Sequence, residues 1–345
     1  MLSRVIPSAA SVEVRGRLEA LRSLRFRVLH REMAVPGPVA APTDILRGQG
    51  FEVLQQGDAP LDPDPAEVVL VWGNAVWFPR AVRSLQRMRR ASRPLTVIWH
   101  VEPLPPPRDS GLRWPRPTVR EIAKILLRDP RANDVYSNVR MLERLARHAV
   151  PDILAVSTRE RYAFLVERGF DVVLAGPWYD PRDGRDVGIE RDLDVLFLGS
   201  TNVPARRRAL RQLRRAGVRI EVRGSYSDAS LWGEGRTRLL NRTKIVLSIA
   251  RFPGTFGSRR FVIAMACKAL VVSDPLYDPY PFQPDVHFVE ASLEDMPAVI
   301  EHYLADEDAR ARIAAQGHDF VTQELAMERV VLRLLAAVGE RVAKR

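Results

Sequence analysis

Residues 192–274 constrain this chain most. The stretch opens on Asp194-Val-Leu-Phe-Leu-Gly-Ser200, an apolar run that stops at two small residues and enters an arginine-rich segment, 206–215. It closes on Ser258-Arg-Arg-Phe-Val-Ile-Ala-Met-Ala-Cys-Lys-Ala-Leu-Val-Val-Ser-Asp274, which reads as a helix, a tight turn and a strand. A strand that ends at Gly-Ser before a helix leaves backbone N–H groups where an anion can sit. Two such crossovers in one half of a chain predict a nucleotide-binding α/β domain.

The preceding half alternates in the same way. Strands are expected at 25–29, 51–54, 67–73, 95–99, 153–157 and 172–174, and helices at 43–50, 80–90, 119–127, 138–148 and 159–168. The unbroken apolar runs at 67–73 and 95–99 are those of parallel strands covered on both faces. Gly176-Pro-Trp-Tyr-Asp-Pro-Arg-Asp-Gly184 interrupts the rhythm with turn residues and marks a linker. Beyond it, strands are expected at 218–222, 245–250, 270–272 and 287–289, with helices at 293–305, 307–316 and 327–342. A length of 345 residues suits two domains. The boundaries predicted are a first domain over 1–175, a linker over 176–191, a second domain over 192–325 and a final helix over 326–345. The fold class is α/β, with two Rossmann-like, doubly wound sheets.

Composition narrows the chemistry. Cys267 is the single cysteine, so no intramolecular disulfide and no cysteine-based zinc site can form. That also removes a zinc-deaminase reading of His100-Val-Glu102, which needs a Cys-x-x-Cys pair. No run approaches the roughly 18 consecutive apolar residues of a membrane span. A cytoplasmic protein is expected, peripheral at the inner membrane surface if it touches lipid at all. The net charge is +11, yet only four of the 53 basic residues are lysines, and much of the charge alternates with acids along helices. Dedicated nucleic-acid binding is therefore not expected. Steering toward an anionic substrate or membrane surface is.

The segments 198–200, 206–207, 243–249, 260–269 and 273–274, in that order, resemble GT-B glycosyltransferases of the family-1/family-4 group, and within it the spore-maturation CgeB-like branch. The resemblance runs from about residue 192 to the end and is faint before it. It implies two domains facing a cleft, a final helix that crosses back to the first domain, and transfer of a sugar from a nucleoside-diphosphate sugar without a metal or other cofactor. The branch's ribose-gripping Glu falls on Ile263, and its turn glycine falls on Lys268. The resemblance thus implies an altered or partly lost donor site, in which Ile263 is expected to line the nucleotide pocket, the alternative being that it belongs to a repacked core. It leaves open a catalytically silent relative that binds a nucleotide or a protein.

Ligands in open α/β sheets bind beyond the carboxyl ends of strands. On the donor side this rule and the resemblance together select Gly199 and Ser200, Arg206 and Arg207, Lys244, Ser258, Arg260 and Asp274. The arginines suit charge-assisted, bidentate contact with phosphate. In the first domain His100 and Glu102 follow a buried strand and are the candidates for acid/base work. Asn74, at the end of the neighbouring strand, is placed on the acceptor side.

Overall fold

A computed structural model describes residues 21, 23–31, 41–112, 119–127, 135–224, 228–252 and 254–343. In chain order the first domain contains β1 (Arg25–Leu29), α1 (Ala41–Gly48), β2 (Val53–Gln56), β3 (Glu67–Trp72), α2 (Pro79–Arg87), β4 (Leu95–His100), α3 (Val119–Leu126), α4 (Val135–Ala146), β5 (Ile153–Val156), α5 (Arg159–Val166) and β6 (Val172–Leu174). The second contains β7 (Leu193–Leu198), α6 (Pro204–Arg215), β8 (Glu221–Arg223), α7 (Gly233–Asn241), β9 (Thr243–Ser248), α8 (Ser258–Ala266), β10 (Leu270–Ser273), β11 (Val289–Glu290), α9 (Met296–Ala305) and α10 (Glu307–Glu324). The last helix is α11 (Met327–Val342).

The strands form two parallel sheets, in the orders β2-β1-β3-β4-β5-β6 and β11-β10-β9-β7-β8. Each order reverses once, between β1 and β3 in the first sheet and between β7 and β9 in the second. Central strands β3 and β4 are buried at every position because helices cover both faces. The exception to their apolar pattern at the start of β3 is Glu67, whose carboxylate is held by Arg27 at 2.9 Å.

Helix α11 supplies Met327, Val330, Val331, Leu334, Leu335 and Val338 to the core of the first domain, where they pack with β1, β3 and β4 side chains. The chain crosses between the domains twice at one place. Tyr179 N–H donates to Leu325 O at 2.6 Å, and Met327 N–H donates to Tyr179 O at 2.8 Å.

Two elements depart from the sequence reading. Helix α7 was not expected, since it opens on Gly-Glu-Gly and glycine is a poor helix former. It is held instead by tertiary contacts through buried Arg236, Thr237, Leu240 and Asn241. Helix α10 does not stop before Gly317. A Cβ at that position would lie 2.7 Å from His287 O, so the glycine serves close packing inside the helix rather than a turn at its end.

Candidate active site

Strand ends at both switch points open into one cavity of about 470 Å³ between the domains. Arg31, Trp72 and Gly73 reach it from the ends of β1 and β3, and Ser248 and Ile249 from the end of β9. This is where an open α/β sheet accepts a ligand. Six arginines line the cavity (Arg31, Arg161, Arg206, Arg251, Arg259 and Arg260), against one acidic residue, Glu160.

The second-domain wall is cationic. Arg206, in the first turn of α6, donates from Nε to Ile249 O at 2.9 Å. Arg260, in the first turn of α8, donates from Nη1 to the same carbonyl at 3.3 Å. Two guanidinium groups thus share one neutral acceptor. The nearest counter-charge is Asp274, whose carboxylate accepts from Ala250 N–H at 3.0 Å. Burial raises the Asp274 carboxyl to about 6, although that hydrogen bond and the two arginines favour its charge. Burial, reinforced by neighbouring Arg206, lowers Arg260 to about 9, which leaves it charged at neutral pH.

Gly199 is required here for its lack of a side chain, because a Cβ would stand 2.5 Å from Arg260 Nη2. The α8 N-terminus has no side-chain cap. Its backbone partial charge therefore adds to that of the arginines. Arg259 lies over the Trp178 ring at 3.6 Å and donates to Trp178 O at 3.0 Å. Its guanidinium also pairs with the buried linker carboxylate of Asp183.

The first-domain wall is aromatic. Trp72 and Trp178 lie 5.3 Å apart by ring centroids, and the Trp77 ring packs against Gly73. Glu160 stands at the start of α5, where Thr158 caps the helix. It is 5% exposed and accepts from Phe256 N–H of the opposite domain at 3.2 Å. Burial raises its carboxyl above the usual range, opposed by Arg161 and by that hydrogen bond. Sequence reasoning missed Glu160, since Ser157-Thr158-Arg159-Glu160 reads as an ordinary helix start. The strand-end rule applied to β5 was the signal that could have found it.

The structure brings Arg206, Arg260, Gly199 and Asp274 together, with Asp274 beside the cavity rather than lining it. Other candidates are corrected. His100 is fully buried, because β4 is sealed on both faces to its last residue, and burial holds its imidazole down at about 3. It is enclosed and does not line the cavity, although the next residue, Val101, does. Glu102 lies between lining residues Val101 and Pro103 without lining the cavity itself.

Asn74 is buried, accepting from Val76 N–H at 3.0 Å and donating to Asn138, so it ties the end of β3 to α4. Ser200 is exposed and its Oγ accepts from Asn202 N–H at 3.2 Å within its own turn. Arg207 points to solvent. Lys244 sits near the start of β9, the wrong end of the strand, paired with Asp194 at 2.7 Å. The Ser258 side chain lies outside the described residues.

Ile263 does not line the pocket. A Cβ on Gly184 would stand 3.1 Å from both Ile263 Cγ2 and Cys267 Sγ, so Ile263 packs under the linker. Lys268, at φ +54°, pairs with linker residue Asp186 at 2.9 Å. Among the described residues no three His, Cys, Asp or Glu side chains come together as a metal site, and no helix is long and apolar enough to cross a membrane.

A family model described as "Glycosyl transferase-like" matches residues 206–336. No curated protein matches the chain. Among solved structures, sucrose-phosphate synthase from Thermosynechococcus elongatus is 11% identical, with a TM-score of 0.60 over 93% of this chain and 100% of that one. HepE from Anabaena, in complex with UDP and glucose, is 12% identical, with a TM-score of 0.57 over the same shares, 93% and 100%. TarM, known also from S. aureus with UDP bound, is 12% identical with a TM-score of 0.55 over 80% of this chain, which spans 55% of TarM's length. At such identities the likeness speaks for the fold. The fold is GT-B: two Rossmann-like domains facing a cleft.

Proposed function

We propose that the protein is a glycosyltransferase that moves a hexose from a nucleoside-diphosphate sugar to an acceptor lying on the aromatic wall. The observation that carries this reading is the pair Arg206 and Arg260, two cations gathered on Ile249 O at the β7/β9 switch point. Such a pair gains most from an anion placed between and above them. A diphosphate leaving group, whose charge grows as the glycosidic bond breaks, is that anion. Guanidinium groups and the α8 N-terminus then stabilise the leaving group, and this reading requires no metal or other cofactor. The UDP and glucose bound to HepE support a UDP-sugar as donor. Glu160 faces the acceptor side with a carboxyl whose pKa is raised, suited to holding the proton of an attacking hydroxyl.

A thermal-shift screen of the full chain against nucleoside diphosphates and their sugars tests the donor. A native-state ligand at 100 times its Kd adds about 2.7 kcal/mol of stability, so UDP is expected to raise the melting temperature by several degrees. Release of free UDP on adding candidate acceptors then tests transfer. A chain that gains no stability from any nucleoside diphosphate is not a glycosyltransferase of this kind.

A further inference from the structure

The most exposed large apolar side chains of the described residues cluster in one short segment. Val119, Leu126 and Leu127 are 85%, 73% and 80% exposed, and Ile122 is 43% exposed. In α3, Val119, Ile122 and Leu126 stand at i, i+3 and i+7 and so share one helix face. Water gains nothing from that arrangement, and a folded chain buries such a face against something. The surrounding sequence narrows what that is. Residues 113–131 carry Arg113, Arg116, Arg120, Lys124, Arg128 and Arg131 against Glu121 and Asp129, together with Trp114. An apolar helix face in a stretch of sequence with six basic residues against two acidic ones, on a chain of net charge +11, suits a surface that is apolar within and anionic at its rim. A second copy of the chain is disfavoured, because it would bring the same basic segment and the same net charge against this one.

We infer that α3 docks the protein on an anionic lipid surface, with Val119, Ile122, Leu126 and Leu127 entering the boundary between headgroups and acyl chains. This inference does not depend on the donor chemistry. The helix lies a few residues beyond the segment 101–112, whose Val101, Pro103 and Leu104 line the cavity and whose Leu112 lies against Gly254 of the second domain.

Co-sedimentation of the full chain with phosphatidylcholine vesicles, with and without an equal part of phosphatidylglycerol, tests it. Binding is expected to the mixed vesicles, weakly or not at all to phosphatidylcholine alone, and to fall with salt. The triple variant I122Q/L126Q/L127Q should bind mixed vesicles at least about tenfold more weakly, with its melting temperature and UDP response unchanged. Should the triple variant fold poorly, Leu127→Cys labelled with a polarity-sensitive dye gives the second readout, since Cys267 is buried. Its emission should shift to the blue with mixed vesicles, while a label at Arg219→Cys, an exposed site near β8, should not move. Failure of the wild type to bind mixed vesicles at low salt overturns the inference. So does a triple variant that binds as the wild type does, or a lipid-free dimer that the triple variant abolishes. A missing UDP response with vesicle binding intact would count against the glycosyltransferase reading alone.

Discussion

Equivalent switch points in the two sheets deliver different side chains into the same cavity. At β1/β3 they deliver Trp72, Trp77 and, across the linker, Trp178, while at β7/β9 they deliver Arg206 and Arg260. One topology thus serves a wall faced by three tryptophans, with Arg31 and Arg161 beside them, and another faced by an arginine pair on one carbonyl. The same division appears within α8. Its first turn, with Arg259 and Arg260, faces the cavity, whereas Ile263 and the following Lys268 face the linker.

The largest expected effect tests that second division. Ile263→Glu would force a carboxylate into the apolar packing against Gly184 and Cys267, where the nearby guanidinium groups of Arg191 and Arg236 are already engaged with Cys267 O and Asp183, at a cost of about 3–5 kcal/mol. Denaturant unfolding should show the loss, and a stable variant with tighter UDP binding would instead return Ile263 to the pocket. Next comes the charged wall. Arg260→Ala should weaken UDP binding by about 1.5–3 kcal/mol by calorimetry, the range for a hydrogen bond to a charged group. Trp77→Ala, on the aromatic wall, should leave UDP affinity within about twofold. Equal losses in the two variants would erase the contrast between the walls.

A smaller effect comes from Asp274. The folded chain holds its proton more tightly than the unfolded chain, so between the ordinary value of 3.8 and about 6 the native state carries the extra proton. Stability from this group is fullest below that window and declines as pH rises through it, because the ionised form is the poorly solvated one. Compared with Asp274→Asn, the wild type should lose roughly 1–2 kcal/mol from pH 4 to pH 7 in urea melts. A difference that stays flat with pH would mean that the carboxylate is already ionised at acid pH. The smallest effect is expected for Lys268→Gly. Relief of a left-handed residue is offset by glycine's freedom in the unfolded chain and by loss of the half-exposed pair with Asp186, leaving stability within about 0.5 kcal/mol.

The central strands were legible because burial on both faces writes an unbroken apolar run, as in β3, β4 and β9. Gly199 was legible because it follows the end of β7 directly, and Arg206 and Arg260 because the resemblance adds the first turns of the two helices that follow β7 and β9. His100 and Asn74 flank strand ends too, yet their side chains turn inward, and only packing decides that direction. Glu160 follows the end of β5 closely enough for the strand-end rule to point to it, but its partner Phe256, 96 residues away, is not legible in the local sequence. Ile263 misled for a related reason: spacing fixes a residue's place along a helix, but the linker that covers it comes from residues 183–186.

The position of α11 has a consequence for the order in which the protein can be made. Leu334, Leu335 and Val338 complete the hydrophobic core beneath β1, β3 and β4. A ribosome that has finished the entire first sheet has therefore still not supplied the layer that closes it. Until α11 emerges, the first domain keeps an apolar flank open to chaperones or to misassociation while the second domain is translated. Helix α11, made after both sheets, seals the first of them.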